Sequence, residues 1–208
     1  MSDLSPVVSI FLGRTVFLAG GAGVDTTLAG RSGASLILSV EELEKTRLNC
    51  VVIDARLRKN FEKSHIPGAV NVDLYIYHWA DSSPTGLKAF ADQLTNILVW
   101  AGVRDDRRIV FYDNVSGMYA ARGVWLLRYL GHPNVGMLDG GFRAWMRRGL
   151  PTEAGAAQLK AGRFVQDVRD ELIATKDYIK KRLQDPSVQF LDTREPAEWR
   201  GELIRGAR

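Results

Sequence analysis

From Ser35 onward, short apolar runs alternate with amphipathic ones. Ser39 followed by Glu42 is a capping-box pattern and predicts a helix from Val40 to about Thr46. Cys50-Val51-Val52-Ile53 is a continuous apolar run rich in β-branched residues, as in a strand buried on both faces. Ala69 to Val72 reads as a second short strand. Leu87 to Ala101 places Leu87, Phe90, Leu94, Ile97 and Leu98 at helical spacing, with Gly102 as its stop. Ile109 to Tyr112 predicts another buried strand, and Tyr119 to Leu130 a helix closed by Gly131. Val135 to Leu138 predicts a strand, and Phe142 to Arg148 a helix ended by Gly149. Strands alternating with helices over short loops point to an α/β fold, a parallel sheet flanked by helices on both faces.

The pattern then pauses and restarts. Gly149-Leu150-Pro151 and the small-residue stretch from Ala154 to Gly162 read as a linker. Beyond it Thr175 caps a helix from Lys176 to about Leu183, and Val188 to Leu191 is a strand. Phe190-Leu191-Asp192-Thr193-Arg194 repeats the form of Val52-Ile53-Asp54-Ala55-Arg56, with the two aspartates at positions 54 and 192 and a capped helix before each. An internal repeat at a domain-sized offset implies a tandem. The expected division is an N-terminal extension over 1–34, poorly ordered, a complete domain over 35–151, a linker over 152–170, and the opening of a second, incomplete copy over 171–208. Arg14 splits the apolar residues of the extension and no cationic segment precedes them, which favours a poorly ordered extension over the alternative of a weak signal or transit sequence. The elements of the partial copy lack most of their partners, so residues after about 155 are expected to add little cooperative stability.

Composition changes this picture little. Hydrophobic residues make up 46% and charged residues 25% of the 208, enough apolar material for a buried core. The net charge is +4, but Lys and Arg are scattered among Asp and Glu, whereas nucleic-acid binding needs a clustered stripe. No apolar stretch has the length of a membrane span. Cys50, as a lone cysteine, forms neither an internal disulfide nor a multi-cysteine metal site. Nucleic-acid and membrane partners, metals and cofactors are therefore not expected, and the setting reads as cytoplasmic.

Two segments carry more information. In His65-Ile66-Pro67-Gly68-Ala69 a turn feeds a strand, with Pro fixing φ and Gly permitting the bend. In Leu138-Asp139-Gly140-Gly141-Phe142-Arg143-Ala144-Trp145 a strand turns sharply into a helix. Together they resemble the two signatures of the rhodanese family of sulfurtransferases, with Asp54-Ala55-Arg56 before the first and Tyr112-Asp113 before the second. The resemblance covers roughly Ser39 to Pro151, and again Thr175 to Arg208. It implies a rhodanese-like fold, and a first domain that is usually silent in tandem members. The second domain would carry a cysteine that takes a sulfane sulfur from thiosulfate or 3-mercaptopyruvate as a persulfide. That sulfur then passes to cyanide or a thiol.

The resemblance places the cysteine-equivalent slot of the first domain at Asp113, and a carboxylate cannot hold a persulfide. The matching cysteine is expected at roughly position 251, past Arg208, so no catalytic residue is assigned within this chain. Arg194, at the entrance of the second copy, is the candidate for binding the substrate anion; the alternative is a surface or interdomain salt bridge. Domain-to-domain packing is expected in the intact protein. The residues themselves give blander readings elsewhere. Cys50 is a small buried hydrophobe, His65 holds its turn, and His78 and His132 lack a metal pattern. Arg56 is structural, pairing with Glu62 or with a carboxylate of the other domain, and Asp113 bonds loop amides. A non-catalytic rhodanese-like binding or regulatory module is the second reading. A receiver-like or phosphatase-like domain is the third, weakened by the lack of an acidic pair or a Cys-x5-Arg loop.

Overall fold

Ser39 caps the first helix as its spacing predicts. Its Oγ accepts from the Glu42 N–H at 3.2 Å, and the Glu42 carboxylate accepts from the Ser39 N–H at 2.7 Å. Those bonds hold the Glu42 carboxyl below its ordinary range. This helix, α1 (Val40–Thr46), belongs to a computed structural model that describes residues 8–12, 14–20, 35–74, 81, 83–115, 117–157, 160–192 and 196–202. For residues 8–12, 14–20, 176 and 192 the backbone alone is described.

Five strands form the central sheet: β3 (Ile37–Leu38), β4 (Cys50–Asp54), β5 (Val70–Asn71), β6 (Arg108–Tyr112) and β7 (Val135–Leu138). Their order is β3-β7-β6-β4-β5 and every pairing is parallel. The central strands are buried on both sides, so their apolar runs do not alternate with polar residues, but their side chains do alternate in direction. Ile109 and Phe111 of β6 face one core with α3 (Pro84–Trp100) and α4 (Met118–Tyr129). Val110 and Tyr112 face the other, with α1, α2 (Arg58–Lys63) and α5 (Gly141–Arg147). The fold is therefore the α/β arrangement expected from the pattern. Two short elements were not legible: β3 has two residues and α2 six, too few for a period to show. Helix α3 starts at Pro84 rather than Leu87 because Ser83 Oγ accepts from the Gly86 N–H and Pro84 fits the first turn.

Helix α4 lies close against β6 because Gly123 has no side chain. A Cβ there would stand 2.4 Å from the Phe111 ring. His132, just past α4, is buried and neutral in its bonding pattern. Its Nε2–H donates to the Arg104 carbonyl at 2.9 Å, and Nδ1 accepts from the Asn134 N–H at 3.2 Å. Burial holds its pKa below the ordinary 6.5.

A second group of elements follows. Thr175 Oγ1 accepts from the Tyr178 N–H and caps α6 (Lys176–Arg182), followed by β8 (Val188–Asp192) and the single turn α7 (Pro196–Trp199). Strand β8 pairs antiparallel with β2 (Arg14–Gly20), which pairs with β1 (Val8–Leu12). Residues 8–12 and 14–20, read above as part of a poorly ordered extension, are thus strands. They are rich in β-branched and aromatic residues, and an open strand edge offers them a row of unpaired N–H and C=O groups.

Two outcomes follow from this packing. Gly123→Ala should destabilise the protein by about 1–3 kcal/mol, read from the urea midpoint, because α4 must move off Phe111. The depressed pKa of His132 makes the unfolded chain the stronger proton binder. Its contribution is full above pH 6.5 and is lost as the pH falls through the lower folded value. Denaturation midpoints should therefore drop from pH 7.5 to 5, and His132→Gln should flatten that slope.

Candidate functional site

The chain leaves β4 toward β5 on one side and leaves β6 toward β7 on the other. The carboxyl ends of β4 and β6 thus flank the topological switch point, where open parallel sheets hold their ligands. The loop after β6 begins at Asp113, which is 4% exposed. Its Oδ1 accepts from the N–H groups of Val115 and Gly117, both at 2.9 Å, and its Oδ2 from that of Ala120 at 3.3 Å. Three backbone donors at the head of a twelve-residue helix form a cradle for negative charge, and the carboxylate of Asp113 fills it.

Helix α5 holds this loop from the other side. The Phe142 N–H donates to the Asp113 carbonyl at 2.7 Å and the Arg143 N–H to the Asn114 carbonyl at 3.0 Å. Gly141 makes the approach possible, since a Cβ there would lie 2.5 Å from the Asp113 carbonyl oxygen, and its φ is +56°. The glycine pair of the second signature therefore fixes the loop as well as turning the chain.

Beneath the loop, Arg56 reaches back to Asp54. Its Nε lies 2.9 and 3.0 Å from the two carboxylate oxygens, its Nη2 is 2.6 Å from Oδ2, and Nη2 also donates to the Ser64 carbonyl at 2.7 Å. The guanidinium lies 4.0 Å from the Phe142 ring centroid. Burial works against its charge, but the bonds and charge of Asp54 hold its pKa above the ordinary range. Tyr112 accepts from the Ile66 N–H at 3.2 Å. Burial and the Asp54 charge push its hydroxyl well above the usual value, so it stays protonated. Arg56 is thus internal, but its partner is Asp54 rather than Glu62, which pairs with Arg58 at 2.8 Å. The two-residue spacing lets one strand end supply both ions.

His65 is also internal. Its Nδ1 lies 2.8 Å from the Phe61 carbonyl and its ring stacks on Phe61 at 3.8 Å. Cys50 opens β4, at the far end of the sheet from Asp113. Arg194 and His78 lie outside the described residues. Among the described residues no group of three or more His, Cys, Asp or Glu is placed to hold a metal ion, and no helix is long and apolar enough to cross a membrane.

Removing the carboxylate should be felt. Asp113→Ala leaves three amides without their acceptor and should cost about 1–3 kcal/mol in chemical denaturation. Asp113→Asn keeps a carbonyl acceptor and should cost less.

The rhodanese-like domain model matches residues 39–148. Thiosulfate sulfurtransferase of Azotobacter vinelandii is 30% identical over 179 residues, which is 84% of this chain and 66% of that protein. The 3-mercaptopyruvate sulfurtransferase of Homo sapiens is 32% identical over 146 residues, or 69% and 49%. Among solved structures, SseA from Escherichia coli, described as a 3-mercaptopyruvate sulfotransferase, superposes with a TM-score of 0.63. It is 23% identical and the match covers 73% of this chain and 64% of that one, a likeness of fold. The chain spans between about half and two thirds of the length of these curated relatives. Because the family model runs from the Ser39 cap to the end of α5 and takes in four of the five strands of the sheet, β4 to β7, the chain belongs to the rhodanese family.

Proposed function

We propose that this chain is the silent half of a tandem sulfurtransferase, and that sulfur transfer takes place in a second copy of the fold. The observation that carries this reading is the filled cradle. The donors that would stabilise a thiolate and an anionic sulfur donor are already bound to the Asp113 carboxylate. Relatives named thiosulfate and 3-mercaptopyruvate sulfurtransferases support the reaction class.

In the second copy a cysteine thiolate at roughly position 251 would attack the sulfane sulfur of the donor. The S–S bond of thiosulfate or the C–S bond of 3-mercaptopyruvate breaks, and the electron pair leaves with sulfite, or with the enolate of pyruvate, which then takes up a proton. The resulting persulfide then gives its outer sulfur to cyanide or a thiol, restoring the thiolate. Arg194, two residues past Asp192 as Arg56 is past Asp54, is proposed to draw in the donor's negative charge. Packing of the two copies against each other would close the site from water.

The 208 residues by themselves also suit a non-catalytic rhodanese-like module, and the same filled cradle favours that reading for this portion alone. A thiosulfate and cyanide assay separates the possibilities. The 208-residue protein should form no thiocyanate above background, whereas a protein extended through the second copy should turn over. Its Arg194→Ala variant should show a raised KM for thiosulfate. Turnover by the 208-residue protein would overturn the assignment of silence, and an extended protein without activity would favour the module.

A further inference from the structure

The small-residue stretch expected to act as a free linker is bonded to the first domain at point after point. The Pro151 carbonyl accepts from Trp145 Nε1 at 2.8 Å, and Glu153 exchanges both backbone hydrogen bonds with His65 at 2.8 and 2.9 Å. The Gly155 N–H donates to the Glu62 carbonyl at 2.8 Å. Farther along, N–H groups of Gly162, Asp167 and Arg169 donate to the carbonyls of Val99, Leu130 and Tyr129 at 2.7, 2.8 and 2.7 Å. Those carbonyls stand at the ends of α3 and α4, where a helix leaves its last acceptors without internal donors. This segment supplies donors to Tyr129 and Leu130, and a second donor to Val99, which also accepts from the Gly102 N–H at 3.0 Å.

The fit is close on both sides. A Cβ on Gly131 would lie 2.2 Å from the Asp167 carbonyl oxygen, and one on Gly162 would lie 1.9 Å from that of Val103. Phe164 is buried against His132, and the Gln166 side chain spans Asp92 and Thr95 of α3, 2.7 Å from each. Past Arg169, among the described residues, the backbone bonds turn local, with the Leu172 and Ile173 N–H groups donating to the Arg169 and Asp170 carbonyls at 3.0 Å. Leu172 and Ile173 still pack on the first core, whereas Ala174 is buried in a separate cluster with Tyr178, Ile179, Val188 and Phe190. A cleft of about 570 Å³ opens there between α3 and the segment from Gln166 to Thr175.

We infer that residues 160–172 are a clasp of the first domain, capping α3 and α4. The joint about which the α6–β8 group turns is then Ile173 to Thr175, not the small-residue stretch before it. A tether of free linker would let the second group wander. A clasp with a short joint restricts it to one orientation with a narrow swing.

Hydrogen exchange on the 208-residue protein tests the clasp. Amides of Gly162, Asp167 and Arg169 should be protected like Leu130 and His132 at the end of α4. Phe164→Ser should speed their exchange roughly tenfold or more while leaving β4 and β6 unchanged. Spin labels test the joint. In a Cys50→Ser background, labels at the exposed positions Leu48 and Val165 should give a narrow distance distribution, and labels at Leu48 and Leu183 a broader one. Clasp amides exchanging at the unprotected rate, or a Leu48–Leu183 distribution as narrow as the first, would overturn the inference.

Discussion

The buried ion pair of Asp54 and Arg56 ties together segments that are remote in the sequence. Asp54 ends a central strand and is fully buried, and Arg56 is 6% exposed. In such a place removing either partner is costly, since breaking a buried pair strands the remaining ion. The guanidinium answers the aspartate, binds the carbonyl of the turn before His65, and lies under Phe142 of the second signature. Tyr112 lies against the same guanidinium while its hydroxyl takes the Ile66 amide. Turn, strand ends and α5 are thereby set around one charge pair, and the loop at Asp113 inherits its position from them.

That loop shows how a strand end and a helix start together build a cradle for one carboxylate. Backbone donors at the start of a helix stabilise whatever negative charge lies among them. Here the acceptor is the protein's own Asp113 carboxylate, and its three bonds tie the loop to the start of α4. The chemistry of the slot is decided by a single side chain, while the donors, the glycines beside it and the helix behind it serve the fold in either case.

Much of this was legible in the chain. The capping pair Ser39 and Glu42, the β-branched runs at Cys50 and Ile109 and the stops at Gly102 and Gly131 predicted elements that the fold contains, because each depends on interactions within a few residues. The stretch from Ala154 to Gly162 was legible only as flexible. Its glycine at 162 is there for close approach to Val103, and the two stop glycines at 102 and 131 also make room for the segment that crosses them. Composition reports small residues; it does not report which backbone lies against them. Phe164 carried a signal in retrospect, as a lone large aromatic amid polar and small neighbours.

By itself the sequence determined the α/β class, the order of elements and the two signature segments. These rest on local periodicity, capping and turn chemistry, which a chain carries wherever it goes. Tertiary structure decided that Arg56 answers Asp54, that three amides converge on Asp113, and that the segment after Pro151 closes two helices. Those are contacts between groups brought together by the sheet, and their energy comes from burial, which no single segment possesses on its own.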